Sequence, residues 1–518
     1  MKILDCTLRD GGYYTNWNYQ KEVTDKYFSY MNKLPIDYVE IGYRSIRSDS
    51  YLGEFFYTPP YILEKANVLM PDVQKVIMLD EKDTQVDNLD ILLNGCRSYV
   101  KMVRIAMAPN RLENGVRLAD KIKEMGFEVA FNVMYASKWL NDKALLKQLK
   151  EIKAVDYLYL VDSYGSLYPE EVRALVRELK DGTEVPLGFH GHNNLELALI
   201  NSLTAAAEGC EIIDATVTGM GRGAGNLKTE LFLTALNDKL EKELDLDSLA
   251  ALTEVFYNLR EKYKWGTNLA YMLAGQYSIP QNEVMSKMGK RRYAIGNIIR
   301  QLLKFLPSAT ESHSIKAIPL DTQPAVKDVF IIGGGKSVTE INTAFDEILR
   351  RKTNNNEPFA IIHSSSRYAD VFAGNGEAGQ YFCLFGNEGK RFQSFPNAQQ
   401  MAAHNKFIIP AAKYCEGIYM PSFINDHVYD VKDDLFEAAV QDSPLALSLQ
   451  AAAALQAKNI YLIGFDGYVE EELSANIDLL YENQGIIDAA QKQGLTLKSL
   501  TPTRYSNIEQ LSIFRFLY

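Results

Sequence analysis

His190 and His192 stand two residues apart at the end of an apolar run, so in an extended strand both imidazoles project to one side and can face one ligand. Gly191 between them leaves that side uncrowded. Asp10 follows another apolar run and begins the turn Asp10-Gly11-Gly12. Two imidazoles and one carboxylate make a facial set that leaves a divalent metal open positions for water or substrate. An H-x-H pair is common in proteins that bind no metal. Here residues 1–310 hold only these two of the chain's six histidines, both at a predicted strand end. The pattern predicts one metal site on Asp10, His190 and His192.

The neighbours indicate what such a metal would do. Arg9 is either half of a surface ion pair with Asp10 or a cation beside a Lewis acid, which is what an enolate oxygen needs. Glu40, near the end of another apolar run, either orients Arg9 or a bound water, or is a solvated loop carboxylate. Asp162 and Ser163 are placed to contact substrate oxygens, although Asp162 could equally cap the helix that begins near Pro169. The run Gly219-Met-Gly-Arg-Gly-Ala-Gly-Asn226 has four glycines in seven residues and can bring Asn226 toward the metal.

These residues need a frame that gathers strand ends. Eight β-type runs, at 2–8, 37–42, 74–79, 99–106, 127–133, 156–162, 185–191 and 211–217, alternate with amphipathic segments such as Pro169–Lys180. Alternating βα units give a parallel sheet. Eight of them in this length match a closed (β/α)8 TIM barrel better than an open sheet, and a barrel puts its chemistry where strands end. The predicted organisation is a barrel over 1–235, a helical extension over 236–312, a polar linker over 313–328 and a Rossmann-like α/β domain over 329–518.

Composition narrows the classes. The 518 residues carry a net charge of −11 with 47% hydrophobic and 23% charged residues, and no basic cluster stands out. That argues against a nucleic-acid polymer or a membrane surface as partner. The five scattered cysteines contain no C-x-x-C pair and fit reduced thiols in a cytoplasmic protein.

TLRDGG after the first run, VEIG in the second, VDSYGSLYP after the sixth, HGHNN after the seventh and GMGRGAGN after the eighth together resemble the DRE-TIM metallolyase superfamily. The segment LAYMLAGQYSIPQNEVMSKMGKRRYAIGNII resembles the tail of its 4-hydroxy-2-oxovalerate aldolases. The resemblance implies Mn²⁺ or Mg²⁺ on Asp10, His190 and His192, with Asn226 in or beside the metal shell and Arg9 stabilising an enolate. It implies cleavage of a 4-hydroxy-2-oxo acid to pyruvate and an aldehyde, or the reverse, by a homo-oligomer. Two departures stand out. The aldolases carry a catalytic histidine three residues after the ligand aspartate, where this chain has Tyr13, so proton transfer falls to Tyr13 or to a metal-bound hydroxide, with Tyr263 as the counterpart of the family's catalytic tyrosine. The acyl-CoA lyases of the superfamily use a cysteine in the glycine loop after strand eight, and this loop has none. The alternatives are an acetyl-CoA-dependent condensing enzyme resembling isopropylmalate synthase, and a non-catalytic barrel serving as scaffold for the C-terminal domain.

In that domain, Gly333, Gly335 and Ser337 lie between a strand and a helix, and Asp466 follows a later strand. This spacing suits a phosphate or nucleotide ligand without completing a P-loop or a dinucleotide fingerprint. Assembly or partner docking is the plainer alternative.

Overall fold

The computed structural model describes residues 1–48, 50–239, 243–289, 295–303, 317–372, 379–410, 418–431, 440, 442–468 and 474–518. The chain divides into two compact units, Met1–Ser286 and Lys287–Tyr518.

In the first unit, eight strands close into a barrel: β1 (Lys2–Asp5), β2 (Tyr38–Tyr43), β3 (Gln74–Asp80), β4 (Val100–Met107), β5 (Glu128–Val133), β6 (Tyr157–Asp162), β7 (Leu187–Gly191) and β8 (Ile212–Ala215). All neighbours pair in parallel, and β1 bonds both β2 and β8. The strands are apolar and buried on both faces because helices such as Leu112–Glu124 and Pro169–Lys180 cover the outside. The predicted TIM barrel is therefore observed, with the strand boundaries close to those read from the sequence.

The first strand differs. It stops at Asp5, and Thr7–Asp10 forms a helical turn. The cause is Asp5 itself, whose Oδ1 accepts from Thr7 N at 2.9 Å and Thr7 Oγ at 2.6 Å and so bends the chain. Arg9 and Asp10 are thereby lifted onto a turn at the barrel mouth. A second irregularity shifts the β2–β3 register between Glu40 and Gly42, a bulge of the kind that re-aims side chains near active sites.

Three tail helices follow the barrel, at Leu246–Tyr263, Leu269–Gln276 and Gln281–Gly289. The second and third are tied to the β7 loop: Asn194 Nδ2 donates to Tyr271 O at 2.9 Å, and Gln281 Nε2 donates to Asn194 Oδ1 at 2.5 Å.

The second unit is a nine-stranded, wholly parallel sheet. Its strands are β9 (Ile318–Pro319), β10 (Asp328–Ile332), β11 (Phe359–His363), β12 (Gly379–Cys383), β13 (Lys406–Ile409), β14 (Val428–Asp430), β15 (Asn459–Ile463), β16 (Leu497–Ser499) and β17 (Glu509–Gln510), in the order β17-β16-β15-β10-β11-β12-β13-β14-β9. The order reverses direction between β10 and β15, the switch point at which open sheets bind ligands. The helix Ile295–Leu303 belongs to this unit, where Asn297 Nδ2 donates to Gly386 O. Residues 313–316 of the expected linker lie outside the described residues, and the part that follows contributes the edge strand β9.

Cys6, Cys96, Cys210 and Cys383 are buried free thiols, and Cys415 lies outside the described residues. Among the described residues, no helix is long and apolar enough to cross a membrane.

Candidate metal centre and active site

Asp10, His190 and His192 come together, each buried, with one donor atom from each lying within 4.8 Å of the others. The imidazoles are oriented from behind. His190 Nδ1 is 2.8 Å from Asp214 Oδ2, and His192 Nδ1 is 2.9 Å from the carbonyl oxygen of Asp162. A carbonyl only accepts, so His192 carries its proton on Nδ1, and the Asp214 carboxylate asks the same of His190. Both Nε2 lone pairs are then free for a metal. His190 Nε2 lies 3.8 Å from Asp10 Oδ2.

The charges agree with that role. Burial would raise the Asp10 carboxyl, but Arg9, the two histidines and Asn226 outweigh it and bring it down to about 2. Burial, joined by His190 and Arg222, holds His192 down at about 4 against the pull of Asp10 and the Asp162 carbonyl. At neutral pH the set is a carboxylate beside a neutral imidazole, which is the donor state a divalent cation requires. Asn226 Nδ2 donates to Asp10 Oδ2, while Asn226 Oδ1 is buried without a partner among the described residues. An orphaned carbonyl oxygen at this point is a further donor that fits a cation.

Cys6, His190 and Asp214 form a second cluster with ligand spacing. It is better read as support. Burial raises the Cys6 thiol well above its usual range, and its Sγ donates to Ala215 O at 3.6 Å. Asp214 already holds both His190 and Arg104.

Arg104 completes a structure that runs around the barrel interior. Arg9 bonds Asp10 Oδ1 through Nη1 and Glu40 Oε2 through Nε, both at 2.6 Å. Glu40 Oε1 accepts from Arg104 Nη1 at 3.3 Å, and Arg104 Nη2 donates to Asp214 Oδ2 at 2.5 Å. Asp214 returns to His190. The result is a ring, Asp10–Arg9–Glu40–Arg104–Asp214–His190, bonded at every step but one: its ends, His190 Nε2 and Asp10 Oδ2, stand 3.8 Å apart without a hydrogen bond. Asn132 and the face of Tyr159, 4.2 Å from the Arg104 guanidinium carbon, pack against it. Glu40 is therefore buried and orients Arg9. Neither Arg104 nor Asp214 was singled out from the sequence. The available signal was a charge within each of the otherwise apolar runs VRIA and IIDA.

At the mouth, Tyr13 Oη is 3.2 Å from Tyr43 Oη, and the Arg222 guanidinium lies 5.1 Å from the Tyr13 ring centre. Tyr14 Oη donates to Gly223 O at 2.7 Å and shares a hydrogen bond with Tyr271; burial raises it far above the usual phenol range, so it stays protonated. Tyr263 packs on the barrel core under the Lys262 ammonium, and the tail tyrosine bonded into the mouth is Tyr271. The Asp162 carboxylate accepts from Ser166 N at 3.0 Å and Leu167 N at 3.2 Å, shaping the loop before the Pro169 helix, and burial pushes it up to about 7. Ser163 Oγ accepts from Tyr135 N at 2.9 Å.

Gly221 has a specific duty here. A Cβ on it would come within 2.7 Å of Asp10 Oδ2 and closer still to Asn226 Nδ2. Gly221→Ala should therefore leave the barrel folded by circular dichroism while weakening Mn²⁺ affinity by roughly 10–100-fold in a titration. Unchanged affinity would dissociate this loop from the metal site.

In the second unit, Gly333, Gly335, Ser337 and Asp466 meet at the switch point. Gly333 N donates to Ile463 O and Gly335 N to Gly464 O, both at 2.8 Å, and Ser337 N donates to Asp466 Oδ2 at 3.1 Å. These amides tie the end of β10 to the end of β15.

A family model described as HMGL-like matches residues 1–256. A 4-hydroxy-2-oxovalerate aldolase from Geobacillus thermodenitrificans is 31% identical over 257 residues, 49% of this chain and 74% of its own length. The chain belongs to the HMGL-like family. HMGL-like proteins are metal-dependent lyases and aldolases, and the resemblance of the motifs to DRE-TIM metallolyases is borne out. This HMGL-like chain is also similar to an oxaloacetate decarboxylase from Mycobacterium tuberculosis, 25% identical over 58% of this chain and 90% of that protein. Among solved structures, the N-terminal domain of a proposed aldolase from Bacteroides vulgatus is 48% identical, with a TM-score of 0.54, covering 58% of this chain and 99% of that one.

Proposed function

We infer that the barrel is a divalent-metal-dependent aldolase that makes or breaks the C3–C4 bond of a 4-hydroxy-2-oxo acid through a pyruvate enolate, with Mn²⁺ or Mg²⁺ as cofactor. The observation that carries this reading is the donor set: an ionised Asp10, two imidazoles whose Nε2 atoms are free, and Arg9 fixed beside them. Bound there, the metal supplies Lewis acidity at the keto oxygen.

The chain's own groups account for holding the enolate and for the carbon–carbon step. Arg9 is locked through Nε and Nη1 by Glu40 and Asp10, which leaves Nη2 to donate to the enolate oxygen. In the condensation direction, C3 of the enolate attacks the aldehyde carbon, the carbonyl π pair becomes an alkoxide, and Tyr13 Oη donates it a proton. In cleavage Tyr13 takes that proton back, with Tyr43 Oη as its hydrogen-bonded neighbour. The buried, protonated Tyr14 gives its proton to the Gly223 carbonyl and so fixes the glycine loop at the mouth.

The same enolate would arise by loss of CO₂ from oxaloacetate, and the similarity to an oxaloacetate decarboxylase favours that as the second reading. Both readings require Mn²⁺-dependent exchange of the pyruvate methyl protons with deuterium in ²H₂O, followed by NMR. A folded, Mn²⁺-treated protein that shows no exchange refutes both. Tyr13→Phe should lower aldol turnover by roughly 10²-fold or more with Mn²⁺ affinity retained. Full aldol activity in that variant would remove Tyr13 from the proton path.

A further inference from the structure

Beside the metal residues, Arg9 and Arg104 are each matched to two carboxylates. Arg222 is different. Among the described residues it has no carboxylate partner, and its guanidinium rests on the ring of Tyr13 at 5.1 Å. An aromatic face orients a guanidinium without neutralising it or using its N–H groups.

Its backbone is held on both sides. Gly221 packs against Asp10 and Asn226. The Gly223 carbonyl accepts from Tyr14 Oη at 2.7 Å, Gly223 N meets Met285 Sδ at 3.2 Å, and the Arg222 carbonyl accepts from Gly225 N at 3.2 Å. Arg222 is thus a preorganised, half-buried cation one residue from the metal cage and stacked on the proposed proton donor.

The opposite rim repeats the theme. Lys138, after β5, lies 5.0 Å from the Tyr164 ring centre and 5.8 Å from that of Tyr135, donates to Tyr164 Oη at 3.3 Å, and has no carboxylate partner among the described residues. Tyr135 holds φ at 66°, a left-handed conformation costly for a bulky residue and characteristic of functional sites. In a chain of net charge −11, two unmatched cations framed by tyrosines at one barrel mouth call for an anion.

The geometry points to a second substrate that carries its own anionic group, a carboxylate or a phosphate distal to its aldehyde, bound by Arg222 beside Tyr13, with Lys138 adding positive field from the far rim. This rests on the pyruvate-enolate reading, in which pyruvate's oxygens belong to the metal residues and Arg9, leaving Arg222 for the other reactant. A guanidinium recognises either anion with paired donors, which makes Arg222 a specificity-determining residue.

The test supplies the Mn²⁺-loaded full chain with pyruvate and one of three aldehydes: succinic semialdehyde, glyceraldehyde 3-phosphate or uncharged butanal. At least one charged aldehyde should exceed butanal in kcat/KM by roughly 30-fold or more, and the better of the two identifies the anion as carboxylate or phosphate. Arg222→Met should collapse that ratio, whereas general damage to the fold would lower all three and preserve it. A wild-type ratio near one, or a ratio unchanged in Arg222→Met, overturns the inference. Titration calorimetry with succinate and with inorganic phosphate separates this outcome from failure of the enolate reading. Binding weakened about tenfold or more by Arg222→Met upholds the anion site even without pyruvate exchange, and binding that ignores the substitution overturns it.

Discussion

Asp10→Asn should give a folded protein that retains no Mn²⁺ and turns over on the order of 10³-fold more slowly, the loss expected when several kcal/mol of Lewis-acid stabilisation disappears. The substitution preserves shape and removes only charge. Asp10 is the one anionic member of the donor set, and Arg9 keeps its 2.6 Å bond to Glu40 when the partner is lost. The barrel should therefore survive. The checks are metal content after gel filtration in Mn²⁺-containing buffer, and kcat with added Mn²⁺. Retention of a stoichiometric ion by Asp10→Asn would move the metal site elsewhere, with the Cys6, His190 and Asp214 cluster the next to examine.

Arg104→Leu should be the most destabilising single change in the barrel. Arg104 is completely buried and stands between Glu40 and Asp214, themselves buried, so its removal leaves two carboxylates facing each other without a cation. Breaking a buried pair in this way costs about 3–5 kcal/mol. For a unit of this size that corresponds to a fall in melting temperature on the order of 10 °C. Because Asp214 also fixes the His190 ring, Mn²⁺ affinity should drop by roughly 10–100-fold in parallel. Calorimetry and a metal titration on the same sample test both parts. A variant that melts within about 2 °C of the parent would show that the ring carries little stability.

The barrel was legible because strands covered on both faces are written as short apolar runs, and eight of them recur with room for a helix between. The convergence of the candidate metal ligands was legible for a related reason, since His190 and His192 end one such run. The local bend was not. Asp5 sits inside an apolar run and reads as part of a strand, yet its carboxylate turns the chain by capturing Thr7. Arg104 and Asp214 were missed because they lie 110 residues apart and their partnership exists only once the barrel closes. In the second unit the edge strands β9 and β17 are two residues long and need neighbours to be strands at all. Tyr263 matched the tail by position, whereas Tyr271 reaches the mouth because Asn194 anchors its helix there.

The charged ring has a consequence for how the molecule comes into being. Its six members are contributed by the β1 turn, β2, β4, β7 and β8, so no contiguous half of the barrel contains both sides of every pair. A fragment ending after β4 would leave Arg104 without Asp214, and one beginning after β4 would hold Asp214 and His190 with no arginine between them and the solvent. Partly built barrels are therefore penalised electrostatically as well as hydrophobically. Stability and the geometry of the candidate metal site therefore both depend on the seam where β8 meets β1.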